Sequence, residues 1–224
     1  MVERIARCAS LVALLLLTAS CGETLFRSDF DQAPAGQPPT AAQGVGTAAI
    51  QGSVLVVAPP VTPSGRWVEI SRPNPDTNVA AFQGNFSASR GDGEYTFTTT
   101  VFMPTGSGVA TIQFERFGQP IGDFAGFLHL DLLPDNTVRI DDLEATKFGE
   151  FPRDQPFIVQ VTLDINESSS AHIVLSGAGA AGTADHAILP PFRPIARRFG
   201  AVRLWMGFPH TGRFDATNIV VKRE

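Results

Sequence analysis

The most conspicuous candidate motif is a glycine-rich run, Gly177-Ala178-Gly179-Ala180-Ala181-Gly182, which has the G-x-G-x-x-G spacing of dinucleotide-binding loops. That spacing holds pyrophosphate only where the glycines lead into a helix, because the helix N-terminus supplies unpaired N–H groups. The residues after Gly182 soon reach Pro190-Pro191, which leaves room for no more than a turn of helix. We therefore expect a glycine-rich loop between strands and no nucleotide cofactor.

Acidic and histidine residues lack the spacing of a hydrolytic site. A glycan hydrolase needs two carboxylates that flank the scissile bond, and on a single strand face they would be spaced as Glu-x-Asp-x-Glu, since alternate residues point the same way. The nearest groupings, Asp141-Asp142-x-Glu144 and Asp164-Ile165-Asn166-Glu167, do not alternate. Metal-ligand spacing is also missing among the four histidines, which are His129, His172, His186 and His210. We expect a non-catalytic protein; the alternative is a hydrolase or lyase that uses dispersed residues such as Asp131 and His129.

Aromatic residues with a polar edge are the other candidates for ligand contact. Trp and Tyr suit a wet binding surface, whereas Phe belongs in a core. The chain has 17 Phe against 2 Trp and 1 Tyr, which argues against a broad sugar-binding platform. Trp205 is the exception, because strand alternation places it with Arg203 on the face opposite Val202 and Leu204. We expect Trp205, Arg203 and Trp67 to contact a ligand; the alternative is that Trp205 packs beneath a loop.

Composition excludes several classes of protein. Of the 224 residues, 43% are hydrophobic and 17% are charged, which is too apolar for a disordered chain. The net charge of −5 offers no basic surface for nucleic acid. Two cysteines cannot form a disulfide framework. A single globular domain without nucleic-acid partners is the expectation.

The first 20 residues read as a secretory signal peptide, with arginines before the apolar run Leu11–Leu17 and small residues after it. The run is too short to span a bilayer. The segment Leu17-Thr18-Ala19-Ser20-Cys21 resembles the lipobox of bacterial lipoproteins, although Leu17 stands one place further back than the family prefers. The resemblance implies lipidation of Cys21 and, because Gly22 follows, a cell-envelope protein anchored in the outer membrane. The alternative is a plain secreted protein.

Period-two alternation of apolar residues recurs through the rest of the chain and predicts strands, each with one buried face. Sustained helical spacing is missing, so essentially no helix is expected. The clearest strand is Pro156–Asn166, and the turn Pro134–Thr137 precedes another. The remaining predicted strands are Ser53–Ala58, Arg66–Ser71, Ala80–Ala88, Glu94–Met103, Ala110–Glu115, Leu128–Leu132, Val138–Asp141, Ala171–Ser176, Val202–Phe208 and Thr217–Val221. So many strands in about 200 residues indicate a sandwich or barrel.

Both ends of the predicted domain resemble the concanavalin A-like jelly roll of lectins and glucanases. The resemblance rests on Phe26-Arg27-Ser28-Asp29-Phe30-Asp31, on Pro34-Ala35-Gly36 and on the closing segment Arg213–Val221. It implies a two-sheet antiparallel β-sandwich in which the first and last strands are neighbours. It also implies a structural calcium, which Asp29, Asp31 and Asp215 would ligate if the chain ends pair. Ordinary turn and cap roles for these aspartates are the alternative.

The predicted organisation is a signal peptide over 1–20, a lipidated Cys21 with a short tether over 21–25, and a β-sandwich over 26–224. Residues 32–47 are rich in Pro, Gly and Ala, and their composition fits either a tether or part of the domain. The expected partners are the membrane, through Cys21, and a glycan or envelope protein recognised by a sheet face that includes Trp205. Exposure of Trp205 in a groove would favour binding, and its burial would favour a scaffolding role.

Overall fold

The computed structural model describes residues 22–40, 44–49, 52–61, 65–74, 79–121, 126–207 and 209–224. The predicted signal peptide, 1–20, and the predicted lipidation site, Cys21, lie outside the described residues. Helix in the described ranges is confined to a 3-10 turn, Pro190–Phe192, and the four-residue helix α1, Arg193–Ala196. Neither is long or apolar enough to cross a membrane.

Strands account for most of the described chain. All the strands predicted from alternation are present, and β1, β2, β10 and β13 are additional. The full set is β1 (Glu23–Ser28), β2 (Val45–Ala49), β3 (Ser53–Val57), β4 (Trp67–Arg72), β5 (Ala80–Arg90), β6 (Gly93–Phe102), β7 (Ala110–Arg116), β8 (Gly126–Leu132), β9 (Val138–Ile140), β10 (Leu143–Phe148), β11 (Pro156–Ile165), β12 (Ser170–Ser176), β13 (Gly182–Ala187), β14 (Phe199–Met206) and β15 (Gly212–Arg223).

The strands form two antiparallel sheets, which confirms the predicted all-β sandwich. One sheet has eight strands in the order β13-β12-β11-β6-β15-β4-β3, with β1 also paired to β15. The other has seven strands in the order β10-β9-β8-β7-β14-β5-β2. The last strand, β15, is long enough for one edge to pair with β4 over Gly212–Ala216 and with β1 over Ile219–Arg223. The first and last strands are therefore neighbours, as the resemblance implied.

Phenylalanine rings fill the space between the two sheets. Alternate residues of each central strand point inward, so that Phe97 of β6 meets Phe114 of β7 edge to face at 5.2 Å. Phe199 of β14 lies at the centre of a second group, 4.7 Å from Phe86 and 5.4 Å from Tyr95. Edge-to-face pairs add about 0.5–1.5 kcal/mol each beyond the burial of apolar area. The excess of Phe over Trp and Tyr thus reflects core packing.

The described part of the Pro-, Gly- and Ala-rich segment belongs to the sandwich. Ala33 is buried, and the N–H of Gly36 donates to the carbonyl of Val56 at 2.7 Å. Further along, β2 forms the edge of the seven-stranded sheet by pairing with β5. Strand β1 begins at Glu23, within the predicted tether over 21–25, and the described residues 32–40 and 44–47 lie against the domain.

The G-x-G-x-x-G run is the loop between β12 and β13, as predicted. Gly177 and Gly179 both have φ near +86°, a conformation that glycine adopts without a Cβ clash. The N–H of Ala180 donates to the carbonyl of Gly177 at 2.7 Å and closes a tight turn. Strand β13, not a helix, begins at Gly182, so this loop lacks the helix N-terminus that dinucleotide binding requires.

Candidate functional site

Two rows of polar side chains cross the outer face of the seven-stranded sheet, the face turned away from the core. Strand register builds the first row: Trp205 of β14 pairs with Thr111 of β7, Thr111 with Asp131 of β8, and Asp131 with Arg139 of β9. The second row lies two residues further along each strand and consists of Gln83, Arg203, Gln113 and His129. Side chains from separate parts of the chain are thus collected on one face.

The first row borders a pocket of about 200 Å³. This volume is below the roughly 300–1,000 Å³ of pockets that hold drug-sized ligands, so it suits one small ring. Trp205 is half-buried at the pocket, with its indole partly open to solvent. The pocket is lined by the four residues of the first row together with Val109, His129, Asp142, Gly207 and His210.

A guanidinium shared by two carboxylates forms one wall of the pocket. Nη2 of Arg139 donates to Oδ2 of Asp131 at 2.8 Å and to Oδ1 of Asp142 at 2.7 Å. Oδ1 of Asp131 accepts from the hydroxyl of Thr111 at 2.7 Å. Asp131 is 5% exposed, whereas the side chain of Asp142 is 71% exposed. Asp131 therefore has a structural role in the wall, and Asp142 presents its carboxylate to solvent.

The surroundings of the pocket shift the pKa of two of its lining residues, Asp142 and His210. Partial burial, with the negative charge of Asp131, raises the pKa of Asp142 despite the opposing charges of Arg139 and His129. Burial lowers the pKa of His210, and the charges of Arg139 and Arg72 lower it further, although Asp131 opposes them. His210 is therefore uncharged at neutral pH.

A chain of hydrogen bonds sets the orientation of the Trp205 ring. Indole Nε1 donates to Oε1 of Gln113 at 2.9 Å, and Nε2 of Gln113 donates to Oε1 of Glu115 at 2.8 Å. Glu115 forms an ion pair with Arg203 at 3.0 Å, and both side chains are completely buried. The partly exposed indole of Trp205 is thus linked through Gln113 to a buried ion pair. That pair cannot shift without breaking several hydrogen bonds.

Two glycines provide the space that these side chains occupy. A Cβ at Gly207 would collide with Cζ3 of the Trp205 ring. A Cβ at Gly126 would lie 2.6 Å from Cγ of Gln113 and 2.7 Å from Nε2 of His129. The backbone at both glycines therefore approaches the polar side chains more closely than any other residue type would allow.

A strained turn between β9 and β10 presents Asp142 to the pocket. Asp141 and Asp142 both adopt left-handed backbone conformations, with φ of 53° and 58°. Oδ1 of Asp141 accepts from the backbone N–H of His129 at 2.8 Å, and Oδ2 lies 2.9 Å from Nε2 of His186. Asp141 and His186 have nearly buried side chains, about 9% and 10% exposed. Contacts to β8 and β13 therefore hold the turn in place.

The segment after β7, at Gln119 and Pro120, covers Gln83 and Arg203 of the second row. The carbonyl of Gln119 accepts from Nε2 of Gln83 at 2.9 Å, and the carbonyl of Pro120 accepts from Nη2 of Arg203 at 3.1 Å. Gln83 is 2% exposed as a result. Solvent therefore reaches the outer face at the first row, beside Trp205.

The structure brings together some of the sequence-predicted ligand contacts and separates others. Trp205 and Arg203 are on the predicted face, but Arg203 is fully buried behind the Gln119–Pro120 segment and serves the ring indirectly. Trp67 lies in β4 of the eight-stranded sheet, is 6% exposed and does not line the pocket. Alternation gives the face of a side chain and does not show what covers it.

The three aspartates proposed as calcium ligands do not form a site. Oδ1 of Asp29 accepts from the N–H of Asp31 at 3.3 Å, and Oδ1 of Asp31 accepts from the N–H of Arg66 at 3.1 Å, so these residues shape turns. Asp215 is 1% exposed within β15. Across the described ranges, no three His, Cys, Asp or Glu side chains are grouped in a way that could hold a metal ion. The described residues therefore give no support to a calcium site built from these three carboxylates.

Sequence reasoning missed several pocket residues. Thr111, Arg139, Asp142 and His210 line the pocket, although none was expected to contact a ligand. His129 and Asp131, the residues of the enzymatic alternative, also line it. The polar residues that alternate with apolar ones in β7 and β8 could have indicated this site. Buried polar side chains need hydrogen-bond partners, so a polar outer face predicts a network of side chains there.

Solved structures share this architecture over most of the chain. The lectin UEA-II, solved in complex with galactose, is 11% identical with a TM-score of 0.51, over 89% of this chain and 98% of that chain. The exoplasmic/lumenal domain of VIP36 in its metal-free form is 10% identical with a TM-score of 0.52, over 90% and 92% of the two chains. The fold is the concanavalin A-like jelly roll.

A jelly-roll enzyme shares the same fold. A variant of the alginate lyase Aly36B, solved with alginate tetrasaccharide, is 11% identical with a TM-score of 0.50, over 89% of this chain and 96% of that chain. VIP36 is also known in a Ca²⁺-bound form. No protein-family model and no curated protein sequence matches this chain. At this level of identity the similarities establish the jelly-roll fold alone.

Proposed function

We propose that this protein binds carbohydrate in the pocket beside Trp205. The observation that carries the proposal is the half-buried indole of Trp205 at a small polar pocket, with its orientation fixed by Gln113. One face of a pyranose ring exposes C–H groups that pack on an aromatic ring, while its hydroxyls need hydrogen-bond partners. Asp142 and His210 offer such partners at the same pocket. The galactose complex of UEA-II, a protein of the same fold, supports the proposal.

We propose further that binding is not followed by catalysis. Both oxygens of Asp131 already accept hydrogen bonds, from Thr111 and Arg139, so this carboxylate is not available as a nucleophile or base. Asp131 and Asp142 share a single donor, Nη2 of Arg139, which therefore lies between them. A glycosidase requires its two carboxylates to flank the scissile bond. Here a guanidinium occupies that space.

A second candidate function is cleavage of a glycan by a hydrolase or lyase. It is favoured by the position of His129 and Asp131, which line the same pocket as Trp205. An alginate lyase has the same fold, which supports keeping this candidate. Incubation with polysaccharides, followed by reducing-end assays for hydrolysis and ultraviolet absorbance for elimination, tests it. Turnover that is lost in His129→Ala would establish catalysis.

A glycan array probed with the purified protein and its Trp205→Ala variant tests the binding proposal. We expect the wild-type protein to retain a defined set of glycans and the variant to lose them. Trp67→Phe is the matched control, because Trp67 is the other tryptophan and lies outside the pocket. Equal retention by wild type and Trp205→Ala would refute stacking on this ring. Binding should be unchanged by a calcium chelator, since no group of three His, Cys, Asp or Glu side chains that could hold a metal ion is found among the described residues.

We propose, from the sequence, that the protein is a lipoprotein anchored through Cys21 in the outer membrane. The lipobox resemblance and the following Gly22 support this location. Several acyl chains give stable anchoring, because each buried CH₂ contributes about 0.8 kcal/mol. Cys21→Ser should move the protein from the detergent phase to the aqueous phase, and Ser176→Thr, at an exposed position of β12, should not. Membrane retention of Cys21→Ser would refute the lipid anchor.

A further inference from the structure

We propose that the pocket selects an uncharged sugar and rejects a sugar that carries a carboxylate, because Asp142 presents an exposed negative charge beside Trp205. This inference rests on the proposed carbohydrate function. It concerns the chemical class of the ligand. Proteins of this fold differ in that respect, because UEA-II was solved with galactose, an uncharged sugar, and the alginate lyase with a tetrasaccharide of uronates.

The charges that line the pocket sum to a negative value. Asp131 and Asp142 carry two carboxylates, and Arg139 is the one guanidinium among the described lining residues. His210 does not restore the balance, because burial lowers the pKa of its ring, which is neutral at neutral pH. A ligand carboxylate entering the pocket would therefore meet more carboxylate than guanidinium groups among the lining residues.

Arg139 is also unable to offer the usual fork to a ligand carboxylate. A guanidinium binds a carboxylate through two parallel N–H groups, and each of its two such edges includes Nη2. Here Nη2 is already shared by Asp131 and Asp142. On the edge formed by Nε and Nη2, the Nε atom is also buried. Bidentate recognition of a uronate by this arginine would require one of the two existing ion pairs to break.

The same groups are well suited to hydroxyls. The side chain of Asp142 is 71% exposed, and one of its oxygens, Oδ1, is held by Arg139. A fixed carboxylate at the edge of the pocket can accept from a sugar hydroxyl while the ring packs on Trp205. A charge-assisted hydrogen bond of this kind is roughly twice as strong as one between neutral groups. An uncharged, hydroxyl-rich sugar therefore satisfies the pocket without breaking its internal bonds.

The test uses sugar pairs that differ at C6 alone: short oligomers of glucose, galactose and mannose and the corresponding uronates. Trp205 fluorescence in a Trp67→Phe background reports binding, at pH 7.5 and constant ionic strength. We expect the neutral member of one pair to bind at least about tenfold more tightly than its uronate. Asp142→Asn removes the charge and keeps the size, and asparagine tolerates the left-handed backbone at this position. In that variant the difference should fall below about threefold, through a gain in uronate affinity.

Asp164→Asn is the matched control. Asp164 is exposed in β11 of the eight-stranded sheet, so the substitution changes the net charge by the same amount on the opposite sheet. It should leave the preference unchanged. Tighter binding of a uronate by the wild type, or a preference that Asp142→Asn does not reduce, would overturn the inference and leave sugar binding intact. A lack of saturable signal with all three pairs would refute the proposed function, and the inference with it.

Discussion

The indole Nε1 of Trp205 donates a 2.9 Å hydrogen bond to Oε1 of Gln113, which lies on the neighbouring strand. Gln113 is completely buried, and its amide nitrogen is bonded in turn to Glu115. A partly exposed aromatic ring is therefore fixed by polar groups that solvent does not reach. Preorganisation of this kind lowers the entropic cost of binding, because the ring does not have to be ordered by the ligand.

Trp205→Phe should weaken sugar binding without abolishing it. Phenylalanine retains an aromatic ring but cannot donate to Gln113. Without that bond the ligand has to order the ring, and an ordering cost of about 1 kcal/mol corresponds to roughly fivefold in affinity. Calorimetric titration with the best array ligand measures the effect. Trp205→Ala should bind too weakly to measure, and wild-type affinity in Trp205→Phe would show that orientation of the ring by Gln113 is unimportant.

Gly207→Ala should disrupt binding while leaving the fold intact. The new methyl group would collide with the Trp205 ring and displace it from the pocket. We expect at least about tenfold weaker binding, because stacking depends on ring position. Gly91→Ala is the matched control, since its Cβ would meet only a backbone oxygen of Arg197 at 4.0 Å. Full binding by Gly207→Ala would show that the ring has another acceptable position.

Arg203→Met should strongly destabilise the protein. The substitution leaves the Glu115 carboxylate buried without its ion-pair partner, which typically costs about 3–5 kcal/mol. The free energy of unfolding from urea titration measures this cost. The double variant Arg203→Met/Glu115→Gln removes the unpaired charge and should recover part of the loss. Additive losses in the double variant would argue that the two residues are not energetically coupled.

Asp215→Asn should stabilise the protein at alkaline pH and have no effect near pH 4. Burial raises the pKa of Asp215 to about 7, although Arg213 opposes the shift. The folded state therefore binds the proton more tightly than the unfolded state, and stability is lost as pH rises from about 4 through about 7. The difference between variant and wild type should grow over this interval to at most about 4 kcal/mol above pH 8. Urea titrations across this range provide the measurement, and a difference independent of pH would contradict it.

The strands that alternation identified carry apolar side chains towards the core, whether their other face is exposed, as in β11, or buried and polar, as in β7. Strand β11 alternates almost without exception and was predicted nearly to its ends. Strands β2, β10 and β13 are edge strands of their sheets and are largely exposed, so their sequences carry little hydrophobic pattern. An edge strand is held mainly by backbone hydrogen bonds to one neighbour, and these bonds do not depend on side-chain type.

By itself, the sequence determined the fold class, the inward Phe core and the face on which Trp205 lies, because alternation along a single strand decides those features. The tertiary structure decided which side chains meet. Trp205 and Gln113 are 92 residues apart, and Arg203 and Gln83 are 120 apart. Their contact depends on strand order and register, which the packing of the whole core sets. Arg203 is buried for the same reason, since the segment that covers it comes from a distant turn.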